Sequence, residues 1–211
     1  MDDVAGYFRT VEDSLRQAID TASLGIPVTE IAIFKTLAEV NAEALDAIRQ
    51  DFIVNSAKGE GVLGIRWGAS LDDPRTVVVI LDWRKIEDHW AFWQRPEMPT
   101  VLACINRWFV PGPPVVHHYR FDPRGTVSKD YIRVSIWDRG EVVPVTDIIN
   151  DVRGQQSSSE VKGAFAVDPG QTTWCCVMEG FGSVDEARIA PIAKKMESHL
   201  FKAEYVEASN A

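Results

Sequence analysis

The sequence has little cysteine, no basic cluster and no long apolar run, and each of these absences excludes a class of protein. Three cysteines in 211 residues are too few for a disulfide scaffold, and reduced thiols in the cytoplasm fit best. No stretch approaches the roughly 18 uncharged apolar residues of a membrane span, and the first residues lack the basic and apolar regions of a secretory leader. We therefore expect a cytoplasmic protein with no membrane partner.

The charge balance argues against nucleic acid as a partner. The 22 basic and 31 acidic residues give a net charge of -9, and no lysine- or arginine-rich run occurs. Hydrophobic residues make up 45% of the chain, which supplies a packed core and rules out a mainly disordered protein. Gly59-Glu60-Gly61 precedes a strand-like stretch instead of a helix, the wrong order for a phosphate-binding loop.

Hydrophobic periodicity predicts the same order of elements twice. In the first half, Ile31 and Ile33 belong to a β-branched strand pattern, whereas Leu45, Ile48 and Phe52 recur at helical spacing. The predicted strands of this half cover residues 28–34, 62–68, 75–83 and 115–121, and the helices cover residues 41–57 and 85–109, the second broken by prolines. In the second half we predict strands at 131–137, 161–166, 172–181 and 202–206 and helices at 145–152 and 183–200.

The repeated order predicts an α+β fold of two ferredoxin-like (βαββαβ) repeats. Asp73-Pro74 and Asp168-Pro169-Gly170 supply matching turns before the long strand of each half. Each sheet then has one face covered by helices and one bare apolar face, so we expect the two sheets to pack against each other as a pseudo-dimeric α+β barrel. The predicted divisions are an N-terminal helical extension at 1–27, a first repeat at 28–121, a linker at 122–129, a second repeat at 130–206 and a tail at 207–211.

Two stretches of the sequence are similar to a known family. Residues 29–34, and residues 79–83 followed by Glu87, His89 and Phe92, give a strand ending in an aromatic residue and then a Glu-x-His-x-x-Phe helix start. This pattern resembles the antibiotic-biosynthesis-monooxygenase-like proteins of the dimeric α+β barrel superfamily, in the tandem form common in fungal genomes, over about residues 28–206. The resemblance implies ferredoxin-like repeats and a cavity between sheet and helices. Members include cofactor-independent oxygenases, polyketide cyclases, haem-degrading enzymes, decarboxylases and proteins with no demonstrated activity, so the fold alone does not define the reaction.

His117 and His118 are the first candidates for catalysis. Side chains alternate along a strand, so one of the two faces the helices and the other faces the cavity. The imidazole in the cavity could act as general base towards an activated phenol or β-diketone. The alternative is a hydrogen-bonded structural histidine at the barrel rim. We predict no metal site, because adjacent strand residues diverge and no His-x-His accompanies them.

Other polar and aromatic residues could complete a site. Arg66 and Arg133 lie on apolar strands and could steady a developing negative charge, or pair with Glu30 or Glu179, or reach solvent at the strand edges. The residues that could bind a flat substrate are Trp67, Trp83, His89 and Tyr119, although large aromatic side chains also fill cores.

Two functional hypotheses remain open. The first is a cofactor-independent tailoring enzyme of secondary metabolism, a monooxygenase or cyclase acting on a small aromatic or polyketide-like molecule. The second is a non-catalytic, small-molecule-binding or stress-associated barrel. A haem protein is less well supported, because no proximal histidine is clearly placed. The expected partner is a small hydrophobic or aromatic molecule, without a cofactor, and the chain is either a monomer with a pseudo-dimeric core or a homodimer.

Overall fold

The computed structural model describes residues 24–152, 160–188 and 196–209, which form two antiparallel sheets and a set of short helices. The strands are β1 (Val28–Lys35), β2 (Val62–Ala69), β3 (Thr76–Trp83), β4 (Val115–Tyr119), β5 (Tyr131–Asp138), β6 (Glu160–Phe165), β7 (Trp174–Phe181), β8 (Glu197–Lys202) and β9 (Glu204–Glu207). The helices are α1 (Ala42–Ala47), α2 (Val54–Ser56), α3 (Ile86–Phe92), α4 (Met98–Trp108), α5 (Val145–Val152) and α6 (Val184–Arg188). A π-helical segment (Ile48–Ile53) joins α1 to α2.

The two sheets share one strand order, which confirms the predicted fold class. The first sheet has the order β4-β1-β3-β2-β9 and the second has the order β6-β7-β5-β8. Counted within each half, the first sheet from β4 to β2 and the second sheet from β8 to β6 both have the order fourth, first, third, second, which is the order of a ferredoxin-like βαββαβ unit. The division at residues 121 and 130 stays a prediction, and nearly all of the predicted N-terminal extension lies outside the described residues.

The bare faces of the two sheets pack together, as the apolar patterns predict. Ile31 and Ile80 of the first sheet and Ile132 and Met178 of the second are fully buried in one shared core. Backbone bridges join the sheets at both sides, Ser70 to Phe201 and Tyr119 to Ala166, and complete the barrel. Along β1 and β3, Ile31, Ile33, Val78 and Ile80 face this shared core, whereas the apolar residues that alternate with them face the helices.

Helices cover the outer face of the first sheet. Phe34 of β1 contacts Phe52 of the π-helical segment and Phe109 after α4, with ring centroids 5.4 Å and 4.8 Å from it. The helix over residues 41–57 begins as predicted, because the side chain of Asn41 accepts a hydrogen bond from the Ala44 amide and caps α1. This layer between sheet and helices holds the site described below.

The end of the chain differs from the prediction. A helix to residue 200 and one strand at 202–206 were expected, but β8 begins at Glu197 and a separate β9 crosses to pair with β2 of the first sheet. Leu200 packs on the outer side of the second sheet and Phe201 packs in the shared core, so consecutive apolar residues face opposite sides as in a doubly buried strand. The four-residue spacing of Met196 and Leu200 fits a helix equally well, which is why the sequence pattern misleads here.

None of the helices in the described ranges combines the length and the apolar character that crossing a membrane requires.

Candidate active site

A cavity of about 130 Å³ lies between the outer face of the first sheet and helices α2, α3 and α4. Most of its wall is apolar and aromatic. The aromatic side chains that line it are Phe34, Phe52, Trp83, Trp90, Phe92 and Trp93. A cavity of this kind suits a flat apolar molecule.

One wall of the cavity carries a compact polar cluster, made of Glu30, His89, His118 and Asp168. Glu30 on β1 and His118 on β4 are directly paired across the two strands, so their side chains emerge on the same face of the sheet. His89 reaches them from α3, and Asp168 comes from the turn after β6 in the other half of the chain. The site is therefore completed by both halves of the chain.

Asp168 fixes the orientation of His118. Its carboxylate accepts two hydrogen bonds from that residue, one from the backbone N–H at 2.6 Å and one at the ring Nδ1 at 2.8 Å. The Val167 amide also donates to the His118 carbonyl oxygen at 2.9 Å, which ties this turn to β4. With Nδ1 held in this way, the Nε2 atom of His118 faces the cavity.

A chain of hydrogen bonds continues from His118 to the aromatic wall. His118 Nε2 lies 2.9 Å from Nδ1 of His89, and Trp93 donates its indole N–H to Nε2 of His89 at 3.3 Å. An indole only donates, so His89 Nε2 accepts, and neutral His89 therefore carries its proton on Nδ1 and donates it to His118. His118 in turn donates from Nδ1 to Asp168, and the two imidazoles form one connected unit.

Glu30 completes the cluster from the side of β1. Its Oε2 atom accepts a hydrogen bond from the Trp83 indole at 2.8 Å and lies 3.7 Å from Nε2 of His89 and 4.0 Å from Nε2 of His118. One ligand-type atom each of Glu30, His89 and His118 lies within 4.8 Å of the others, a spacing that a bound cation could use.

Burial and neighbouring charges shift the pKa values of His89 and His118 in opposite directions. Burial lowers the pKa of His89 to about 4, so this ring is neutral at neutral pH. Burial also disfavours the charged form of His118, but the Asp168 and Glu30 carboxylates outweigh it and raise the pKa of His118. Burial would raise the pKa of Asp168, yet the adjacent His118 lowers it. Among the described residues that line the cavity there is no lysine or arginine.

Three of the predicted site residues come together here, namely His118, His89 and Trp83. The ring centroids of His89 and Trp83 are 5.1 Å apart. Of the two neighbouring histidines on β4, His118 is therefore the one that lines the cavity. The cavity itself lies on the helix side of the sheet, so the histidine facing the helices is also the one facing the cavity.

The other predicted site residues lie outside this cavity. His117 is on the opposite face of β4, stacked on Trp174 with its Nδ1 2.6 Å from the Gln171 side-chain oxygen, and burial lowers its pKa. The guanidinium of Arg66 packs over the ring of Tyr205 on β9.

The other three predicted site residues lie within the second sheet, in the core between the sheets and beside a separate groove. Arg133 is buried in the second sheet, paired across the strands with Glu179 and donating to the Ala187 carbonyl. Tyr119 is fully buried in the core between the sheets, and Trp67 faces a separate groove beside α1.

Two residues of the cluster were not among the predicted site residues. Glu30 was considered only as a partner for an arginine, although a carboxylate within an otherwise apolar strand is a signal in itself. Asp168 was interpreted as part of a turn, and nothing in the local sequence indicates that this residue is only 3% exposed.

Comparison with known proteins supports the fold and leaves the reaction open. No family model and no curated protein sequence matches the chain. Among solved structures, a protein from Fusobacterium nucleatum assigned as a monooxygenase shares 14% identity, covering 89% of this chain and 96% of that one, with a TM-score of 0.56. An anthrone oxidase-like protein shares 13% identity over 87% of this chain and 94% of that one, with a TM-score of 0.62. A protein from Lactobacillus acidophilus, also assigned as a monooxygenase, shares 10% identity over 87% and 97%, with a TM-score of 0.57.

At 10–14% identity, these likenesses show the fold alone. The chain has the fold of the dimeric α+β barrel, monooxygenase-like proteins, with both halves of the barrel in one chain.

Proposed function

We propose that this protein is an enzyme of monooxygenase type that oxidises a small, flat molecule of about one ring. The observation that carries the proposal is a compact polar cluster, Glu30, His89, His118 and Asp168, set in the wall of a mainly apolar cavity. Such a cavity holds an apolar molecule and presents its one acidic group to the cluster. Secondary metabolism is the proposed setting, because tailoring reactions act on molecules of this kind.

The size of the cavity limits the substrate. About 130 Å³ is close to the roughly 150 Å³ of an engineered apolar protein cavity that accepts benzene. A single aromatic or cyclic diketone ring therefore fits, whereas a fused polyketide needs the helices to move apart. Oxygenation of a small ring is accordingly favoured over cyclisation of a long chain.

The reaction balances with dioxygen as the only other reactant. The imidazole pair His89 and His118 removes a proton from a CH₂ group beside a carbonyl, and the resulting carbanion forms a C–O bond with dioxygen to give a peroxide. The peroxide takes that proton back from the imidazole pair, and loss of the remaining C–H proton with cleavage of the O–O bond leaves C=O and releases water. Overall, CH₂ and O₂ become C=O and H₂O, so the substrate supplies all four electrons. Asp168 stabilises the positive charge that the proton brings to His118, with which it is in direct contact.

Dioxygen uptake tests this proposal. Purified protein is supplied with single-ring phenols and cyclic 1,3-diketones, binding is followed by quenching of the cavity tryptophans, and oxygen uptake is measured with an electrode. For a compound that is turned over, His118→Ala should lower the rate by about 10²- to 10⁴-fold, because general base catalysis contributes that much. His117→Ala is the matched comparison, since this neighbour is buried on the opposite face of the same strand.

The results separate an enzyme from a binder. Uptake that His118→Ala leaves unchanged rejects this assignment. Binding without uptake by the wild-type protein supports the alternative, a non-catalytic barrel that carries a small molecule. Replacing Ala32, which lines the cavity, by Leu should weaken binding in either case and shows that the compound sits there.

A further inference from the structure

We propose that Glu30, His89 and His118 bind a divalent transition-metal ion, with Asp168 as the residue that orients His118. The three side chains come from β1, α3 and β4, and one ligand-type atom of each lies within 4.8 Å of the others. Ligand atoms at about 2.0–2.2 Å from a common ion are roughly 3 Å apart in neighbouring positions. The 2.9 Å between His118 Nε2 and His89 Nδ1 meets that spacing, so an ion there would replace the hydrogen bond between the two rings. Oε2 of Glu30, which is 4.0 Å from His118 Nε2, needs a shift of about 1 Å.

The donor set selects a class of ion. Two imidazoles and one carboxylate suit zinc, iron, nickel or copper better than the all-oxygen preference of calcium or magnesium. Two histidines and one carboxylate occupy one side of an ion and leave its other positions open. Here the open side is the apolar cavity, where the oxygen atom of a bound molecule could become a further ligand.

The charge of the site also favours a cation. Glu30 and Asp168 are 8% and 3% exposed, and no lysine or arginine is among the described residues lining the cavity. Buried carboxylates are ordinarily paired with a positive charge, because burial of an unpaired charge costs free energy. A divalent ion beside Glu30 and His118 supplies that charge.

The surroundings of His118 and Glu30 match those of metal ligands, whereas a metal at Nδ1 of His89 would move the ring proton to Nε2 and displace the Trp93 indole N–H that donates there. His118 donates Nδ1–H to Asp168 at 2.8 Å, which turns Nε2 towards Glu30 and His89. A histidine that ligates a metal commonly donates its other ring N–H to a carboxylate in this way. The Trp83 indole holds one oxygen of Glu30 at 2.8 Å and fixes that carboxylate as well.

This inference deepens the proposed function, since it rests on the same site and does not depend on the reaction. An ion would replace the hydrogen bond between His89 and His118, and it would prevent the imidazole pair from accepting the proton of the substrate. It would instead hold the oxygen of the bound molecule and make that molecule more acidic.

Metal titration of the full chain tests the site. Protein treated with EDTA and dialysed is titrated with Zn²⁺ in a calorimeter, and Co²⁺ is added in parallel to record its absorption bands. We expect one ion per chain, with binding weakened at least about 100-fold in His118→Ala and in Glu30→Gln. His199→Ala is the control, because His199 is a buried histidine beside Glu197 in the second sheet. The affinity of this variant for Zn²⁺ should stay within about twofold of that of the wild type.

Asp168→Asn separates orientation from packing. It should weaken Zn²⁺ binding by about 10- to 100-fold and shift the Co²⁺ bands, because an amide no longer polarises the imidazole. Loss of packing alone would not move those bands. Far-UV circular dichroism checks that each variant is folded, and Glu30→Gln, which keeps the shape of the side chain, decides the question if His118→Ala does not fold.

Failure of the metal site is distinguishable from failure of the proposed function. Zn²⁺ binding that is absent in folded wild-type protein, or that persists in Glu30→Gln and His118→Ala, overturns the inference. Oxygen uptake that depends on His118 would then still support the enzyme. Metal binding with no uptake of oxygen supports the ion site and counts only against the reaction.

Discussion

His117 and His118 are neighbours in the sequence, yet their rings lie on opposite faces of β4 and have different surroundings. Ile31, the strand partner of His117, packs in the core between the sheets, whereas Glu30, the partner of His118, faces the cavity. Alternation predicts that the two histidines differ. It does not predict which one meets the cavity, because that depends on the side of the sheet that the helices cover.

The three cysteines lead to a prediction at the same scale. Burial raises the pKa of the Cys104 thiol to about 11 and that of Cys175 to about 12, and it raises the pKa of Cys176 further above its usual range. Only the thiolate is nucleophilic, so the folded protein should resist alkylation by iodoacetamide at pH 8. Mass spectrometry should show no adduct on the native protein and three after denaturation in urea.

The outcome against this prediction is specific. Modification of native protein as fast as that of denatured protein would mean that these side chains are accessible. The sequence already indicated this environment, because Trp174, Val177 and Met178 flank the pair Cys175 and Cys176.

The cluster of Glu30, His89, His118 and Asp168 could not be predicted as a unit, because its members are brought together by contacts between four separate segments.

At the scale of the elements, most strands and helices follow from local patterns. β1 and β3 agree with their predicted ranges to within a residue, because β-branched residues buried on both faces define them. The break between α3 and α4 also follows from the prolines, because Pro96 lies between the two helices and Pro99 lies in the first turn of α4, where a helix tolerates proline. The division between β8 and β9 does not follow, since it depends on β9 pairing with β2 from the other half of the chain.

Gly68 on β2 gives a prediction about how two strands meet. A methyl group at this position would lie 2.5 Å from the carbonyl oxygen of Lys202, at the end of β8, and backbone atoms cannot move aside easily. An alanine normally stabilises a strand relative to glycine, but here the clash should dominate. Gly68→Ala should therefore lower the free energy of unfolding by about 1–3 kcal/mol, measured by urea denaturation.

Gly182→Ala is the matched control for that measurement. The added methyl group would meet only the end of the Glu186 side chain at 3.4 Å, an ordinary contact. Its stability should stay within about 0.5 kcal/mol of the wild type. Equal stability of both variants would contradict the close approach of β2 to β8.

At the scale of the whole molecule, the two halves depend on each other. The core between the sheets contains residues of both, β9 extends the first sheet, and Asp168 of the second half holds His118 of the first. Either half alone would expose its apolar sheet face to water. The pattern of bare faces predicted this packing, because each sheet has helices for only one of its two sides.

Such a molecule should unfold as one cooperative unit, and Val177 provides the test. This residue is fully buried on the outer side of the second sheet, in the cluster beneath α5, away from the core that the two sheets share. Val177→Ala should lower the free energy of unfolding by about 2 kcal/mol. If the chain unfolds as one unit, β1 and β3 in the first half are destabilised by the same amount. Hydrogen exchange under conditions of global unfolding should therefore speed up equally in both sheets, whereas Val142→Ala, at a position 64% exposed, should change neither. Faster exchange confined to β5, β6, β7 and β8 would show instead that the halves unfold separately.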